Sequence, residues 1–226
     1  MSKKVVNREE ELKTRFNKAI NNIVSPSVND KDYYNTLSAE QFINLKKALS
    51  NINNIITFKT TLAFVDQLAS SGLIEESAVE DIKEKINSQS ANANGFDILW
   101  DTGDFRFIAE VKCNIPVGKN TFGSAQLEGI YRDIISLRQG KGNVDVQQFN
   151  KFMVFLDCGK IEAAIENLIN SQPAKCYIED LKIDPAILNE LWVEKKIKII
   201  KWNKLPTKLE PTNVYICVVP VDANSL

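Results

Sequence analysis

The chain contains no histidine among its 226 residues. That absence excludes Ser-His-Asp and Cys-His nucleophilic catalysis, histidine-ligated metal centres and nucleases that rely on a histidine general base. Any chemistry must come from carboxylates, lysines, hydroxyls or an oxygen-ligated metal. Cysteine is scarce as well: the four residues at 113, 158, 176 and 217 are widely spaced and form no CxxC pair. This argues against a zinc site and, with no signal peptide recognisable, leads us to expect a reducing cytoplasmic location. No apolar run approaches bilayer length ("KFMVFLDC" is typical), so no membrane association is expected. "GKNT" and "QGKGN" lack the Gly-x4-Gly-Lys-Ser/Thr spacing of a phosphate loop. The net charge is only −1, so binding to nucleic acid would need a local basic patch rather than an overall field.

What is present begins with helical periodicity over residues 1–90. "NREEELKTRFNKAINNIV" puts Leu12, Phe16, Ala19, Ile20 and Ile23 on one face, with Asn7 and Glu10 at capping-box spacing. "SAEQFINLKKALSNI" repeats the pattern with Ser38 and Gln41 as cap and Phe42, Leu45, Leu49 and Ile52 as stripe. A third helix is expected over 58–70. A fourth is expected over 77–87, capped by Ser77 and Glu80, with Val79, Ile82 and Ile86 inward. "NSQSANANG" is small and polar and reads as a linker.

Beyond it the period becomes strand-like. Strands are expected at 96–101, 105–114, 152–158, 197–202 and 214–220, and helices at 123–138, 160–170 and 185–196, the last opened by Asp184 and Pro185. Strands alternating with helices predict an α/β sandwich over 91–226: a mixed central sheet flanked by helices, with residues 1–90 as an all-helical N-terminal extension.

Ionisable residues interrupt two of those strands, in "GFDILWDTGDFRFIAEVKCN" at 95–114. Because side chains alternate faces along a strand, Phe107, Ala109 and Val111 point one way, and Ile108, Glu110 and Lys112 the other. Glu110 and Lys112 are then neighbours roughly 6–7 Å apart. A hairpin through "DTGD" brings Asp97 close to Glu110. Two such carboxylates repel unless a cation lies between them, and hard oxygen ligands favour Mg²⁺ or Mn²⁺.

An aspartate, a dozen residues and then Glu-x-Lys resembles the PD-(D/E)XK nuclease superfamily, of restriction-endonuclease-like fold. The resemblance covers roughly residues 95–158, with Phe96 standing where the family's proline usually precedes the aspartate. It implies a metal held by Asp97, Glu110 and the backbone carbonyl of Val111, and Lys112 serving the water that attacks a phosphodiester. Many members add an upstream glutamate, for which Glu11, Glu80 and Glu84 are all candidates. Gln126 and Tyr131 loosely resemble the glutamine–tyrosine motif of some members, at a spacing one residue longer; packing on the helix is the plainer reading of both. Lys119, Arg132, Arg138 and Lys141 are candidate phosphate contacts.

The function expected is therefore that of a Mg²⁺-dependent deoxyribonuclease, with Mn²⁺ substituting: a type II restriction enzyme or a repair or defence nuclease, acting on DNA and possible as a homodimer. The alternative is a catalytically inactive DNA-binding or protein-interaction module that keeps the fold, in which Glu110 and Lys112 are an ordinary strand-surface ion pair. The nuclease reading requires Asp97, Glu110 and Lys112 to converge in space.

Overall fold

A computed structural model describes residues 8–24, 31–88, 95–117, 120–159, 161–203 and 208–220. The chain divides into two compact units, residues 1–52 and 53–226.

The first unit contains α1 (Arg8–Val24), α2 (Tyr33–Thr36) and the first part of α3 (Ala39–Ser70). Two asparagines on α1 fasten the chain that follows it. Asn17 donates to Asp32 (2.8 Å) and accepts from the Tyr34 N–H (2.8 Å), while Asn21 exchanges two bonds with the backbone of Lys31. Phe16, Tyr34 and Phe42 form an aromatic trio with centroids 5.1–6.4 Å apart. Ser38 and Gln41 form the expected capping box: the Ser38 N–H donates to Gln41 and the Gln41 N–H to the Ser38 hydroxyl. Asn7 lies outside the described residues. Leu12, Ile23, Leu49 and Ile52, which the periodicity assigned to inward stripes, stay largely exposed.

The second unit is α/β. Its elements are the rest of α3, α4 (Glu76–Ser88), β1 (Ile98–Trp100), β2 (Phe107–Lys112), α5 (Ser124–Gln139), β3 (Asn150–Leu156), α6 (Ile161–Asn170), α7 (Lys175–Asp180), α8 (Pro185–Leu188), β4 (Ile197–Ile199) and β5 (Val214–Val219). The strands form one mixed sheet in the order β1-β2-β3-β5-β4, with β1 antiparallel to β2 and every other pair parallel. A parallel pair needs a long crossover, and α5 supplies it between β2 and β3. The central strands are buried on both faces, which is why "FMVF" and "VYICVV" are continuous apolar runs rather than alternating ones.

Each face has its own core. On one, Phe107, Ala109, Val111, Phe152 and Val154 pack with Phe64, Val65 and Leu68 of α3 and Ile82 of α4. On the other, Ile108, Met153, Phe155 and Ile216 pack with Ile130, Ile134 and Leu137 of α5 and Ile165 and Leu168 of α6. The boundary between compact units therefore falls at Ile52/Asn53 and not near residue 90. Residues 53–88 supply one wall of the α/β core.

Several boundaries differ from the expected ones for local reasons. The helices expected before and after residue 57 form one helix, because the intervening "NINNIITF" contains neither Gly nor Pro to end it. α4 starts at Glu76, so Ser77 lies in its first turn and its hydroxyl donates to Glu75 instead of capping. Asp184 does cap α8, accepting from the Ala186 N–H at 2.8 Å, but the segment widens into a π-turn over Asn189–Val193 and ends where Lys195 turns to φ 55°. α7 was not expected from the sequence; it is a short helix that lays Tyr177 against Tyr131.

The division predicts a contrast. Phe64, fully buried among Phe107, Phe152 and Trp202, should cost about 3–5 kcal/mol on substitution by alanine. Leu49→Ala, at an exposed position, should change stability by roughly 0.5 kcal/mol or less. Urea unfolding monitored at the tryptophans reads both, and a Phe64→Ala midpoint equal to wild type would remove α3 from the core.

Candidate active site

The β1–β2 hairpin fixes the first contact. Ile98 pairs with Ala109, so the same register carried one residue further sets Asp97 opposite Glu110. β1 begins only at Ile98, and the Asp97 carboxylate takes the place of the missing strand partner: its Oδ2 accepts the Val111 N–H at 2.7 Å. Asp97 is thereby anchored to the backbone between Glu110 and Lys112.

Glu110 extends from β2 toward α5, on the face it shares with Ile108. It is 4% exposed, so the face that was expected to present Glu110 and Lys112 is covered. Its Oε1 accepts from the Lys141 ammonium at 2.5 Å. Lys141 follows the end of α5. It also donates to the Gly95 carbonyl at 3.0 Å and lies over the Phe96 ring at 5.3 Å. Lys112 forms its ion pair with neither Asp97 nor Glu110. Its partner is Asp133 of α5, whose other oxygen is 3.8 Å from Lys141.

Five side chains thus converge: three carboxylates (Asp97, Glu110, Asp133) and two ammoniums (Lys112, Lys141). With one more negative than positive group in a largely buried setting, the carboxylates disfavour one another's ionisation. Glu110 is pushed up to about 8, chiefly by burial and then by the charges of Asp133 and Asp97, against the pull of Lys141. Asp97 is also raised by burial, opposed by the Val111 hydrogen bond and by Lys112 and Lys141. Asp97 as a residue is exposed, so solvent screens it more than Glu110.

The donor chemistry fits a hard divalent cation at Asp97 and Glu110, since one oxygen of each accepts no hydrogen bond among the described residues and a cation would relieve their repulsion. Asp133 is committed to the lysines. Among the described residues no group of three or more His, Cys, Asp or Glu side chains is arranged to hold a metal, so the fit rests on two carboxylates with a backbone oxygen such as that of Val111.

The remaining candidates are placed elsewhere. Gln126 caps α5, accepting from the Gly123 N–H (2.9 Å) and donating to the Ile115 carbonyl (3.2 Å). Tyr131 is a core residue between Tyr177 and Trp192, its hydroxyl pushed up to about 12 by burial. Arg132 is exposed and pairs with Glu128; Arg138 is bound to Glu190 at 2.8 Å inside the second unit. Lys119 and the Glu11 side chain lie outside the described residues. Glu80 and Glu84 stand exposed on α4, with no hydrogen bond or ion pair to the cluster. The third carboxylate is Asp133, which the sequence reading missed. The signal was there: Asp133 is three residues after Ile130 and four before Leu137, on the buried stripe itself.

Comparison with protein-family models, with curated proteins and with solved structures finds no match.

The charge imbalance gives a pH signature. With its folded value raised from 4.5 to about 8, Glu110 binds more protons in the folded state across that interval. Its favourable contribution is complete below about pH 4.5 and is lost as pH rises through 8. Glu110→Gln mimics the protonated form, so without divalent cations it should gain on wild type from pH 5 to 8.5, by on the order of 1–4 kcal/mol at the alkaline end. Parallel urea-unfolding profiles for the two proteins would contradict the assignment.

Proposed function

We propose that the protein is a divalent-metal-dependent deoxyribonuclease with a restriction-endonuclease-like core, hydrolysing DNA phosphodiesters as a restriction enzyme or a repair or defence nuclease. The observation that carries the reading is the Asp97–Val111 hydrogen bond, which sets a carboxylate opposite Glu110 and next to Lys112. Support also comes from the hairpin that presents Asp97 and Glu110, the helix after β2 and the parallel strand that follows.

Asp97 and Glu110 would hold Mg²⁺ or Mn²⁺ with the Val111 carbonyl. A bound cation neutralises phosphate charge and acidifies its water. Asp97 keeps its place through the backbone bond, which leaves its other oxygen without a hydrogen bond among the described residues. Lys112, within electrostatic range of Asp97, orients the attacking water or donates to the developing oxyanion. Lys141 neutralises Glu110 and adds a positive charge for DNA phosphate. Among the described residues no helix is long and apolar enough to cross a membrane. Two cuts in a duplex favour a symmetric homodimer, for which the exposed Leu12, Ile23, Ile43, Leu49 and Ile52 of the first unit offer apolar surface.

A second reading has its own observation. Lys112 and Lys141 are both paired with carboxylates, as in a structural ion-pair network, and this favours a non-catalytic DNA-binding or interaction module.

Plasmid cleavage in Mg²⁺ and Mn²⁺, beside DNA binding in Ca²⁺, separates the two. Lys112→Ala should lower the cleavage rate on the order of 10²–10⁴-fold while binding persists. Wild type that binds DNA and cuts none would favour the module. For the metal, calorimetry should find Mn²⁺ binding abolished by Asp97→Ala and by Glu110→Ala, and unchanged affinity in both variants would refute these ligands. Light scattering that finds only monomer, alone and with DNA, would remove the dimer and favour nicking.

A further inference from the structure

We infer that Asp133 is a positioning residue that reaches from the middle of α5 to hold the Lys112 ammonium at the edge of the Asp97–Glu110 pair. For its catalytic consequence this rests on the nuclease reading; for the positioning itself it rests on geometry alone.

Asp133 is an unfavourable residue where it stands. It is 9% exposed, lies among Ile130, Ile134 and Leu137 within a 16-residue helix, and aspartate is a poor helix former there. Burying a carboxylate is costly unless it is paired and hydrogen-bonded. It also adds a third negative charge beside two carboxylates that already repel. A residue that served packing alone would be apolar here.

What a carboxylate does at this point, and an isoleucine would not, is divide two oxygens between two ammoniums. Oδ2 pairs with Lys112 and Oδ1 lies 3.8 Å from Lys141. A lysine side chain carries four rotatable bonds and a strongly hydrated head, so its reach is wide unless a partner fixes it. Asp133 fixes Lys112 from the helix side while Asp97 attracts it from the strand side. The ammonium is thereby held on the Asp133 carboxylate within electrostatic range of Asp97, and a group serving an attacking water needs such a fixed place in advance. The arrangement links α5 to the strand by charge: the helix that buries β2 also aims its lysine.

The test uses the full chain with Asp133→Asn, which keeps the volume and removes the charge, and Asp133→Glu, which restores the charge one methylene further out. The expected result for Asp133→Asn is a kcat lowered about 10–100-fold, with KM and Mn²⁺ affinity near wild type and partial recovery in Asp133→Glu. Wild-type kcat in Asp133→Asn overturns the proposal. A second readout needs no cleavage: the Lys112 ammonium resonance in ¹⁵N-lysine NMR, assigned by its loss in Lys112→Arg. Held by Asp133, the ammonium should exchange slowly enough to be observed in wild type and vanish in Asp133→Asn. If wild type cleaves no DNA, the nuclease reading fails, and this resonance alone decides the positioning: loss in the variant upholds it and an unchanged signal overturns it. Should Asp133→Asn not fold, Asp133→Glu carries the same reading, a displaced resonance upholding the proposal and an unchanged one overturning it.

Discussion

Three carboxylates drawn into one cluster with only two lysines to answer them is the constraint on which the site depends. Each element around the cluster exists in a form that accommodates it. The β1–β2 hairpin stops one pair short, so that Asp97 bonds the Val111 backbone instead of continuing the ladder. α5 gives up one core position to Asp133. The chain then turns at Gly140, with φ 97°, where a Cβ would lie 2.5 Å from the Val144 carbonyl oxygen; only glycine makes that turn, and it returns Lys141 to Glu110 and Gly95.

The arrangement costs stability and is consistent with a role other than stability. A buried carboxylate beside a second one, the ionisation of both disfavoured, is the kind of environment that functional sites use to tune protonation, and a cation of matching size relieves it. Elsewhere the protein handles buried charge differently. Lys151, fully buried at the opposite end of its strand from Phe155, gives its ammonium to three backbone carbonyls, those of Val146, Phe149 and Pro211. That is a closed arrangement with every donor satisfied. The Asp97–Glu110 pair by contrast keeps one oxygen of each carboxylate without a hydrogen bond among the described residues.

Much of this was legible in the sequence because it is local. Strand alternation put Glu110 and Lys112 on one face, the hairpin spacing put Asp97 opposite Glu110, and the five strands and the helices at 124–139 and 161–170 followed from period and turn residues. What was not legible depends on tertiary contact. The partner of Lys112 comes from a helix twenty-one residues on, by the difference of their numbers, and only the crossover of α5 onto the sheet brings it there. Lys141 read only as a candidate phosphate contact, since nothing in "RQGKG" reveals that the chain folds back to residue 95. Arg138 was offered as a phosphate contact because its guanidinium suggested a surface, whereas Glu190 engages it; the plainer reading of Tyr131 as a packing residue agrees with its place between Tyr177 and Trp192. The boundary near residue 90 followed composition, but burial follows contact, and Phe64, Val65 and Leu68 belong to the sheet's core.

The proposed divalent-cation site at Asp97 and Glu110 is the part of the chemistry on which everything else rests. Crystals soaked in Mn²⁺ and measured at the manganese edge test it most directly. One strong anomalous peak is expected within coordination distance of both carboxylates, about 2.0–2.3 Å from their oxygens, with Lys141 withdrawn from Glu110. A map with no peak there and the Glu110–Lys141 pair intact would contradict it.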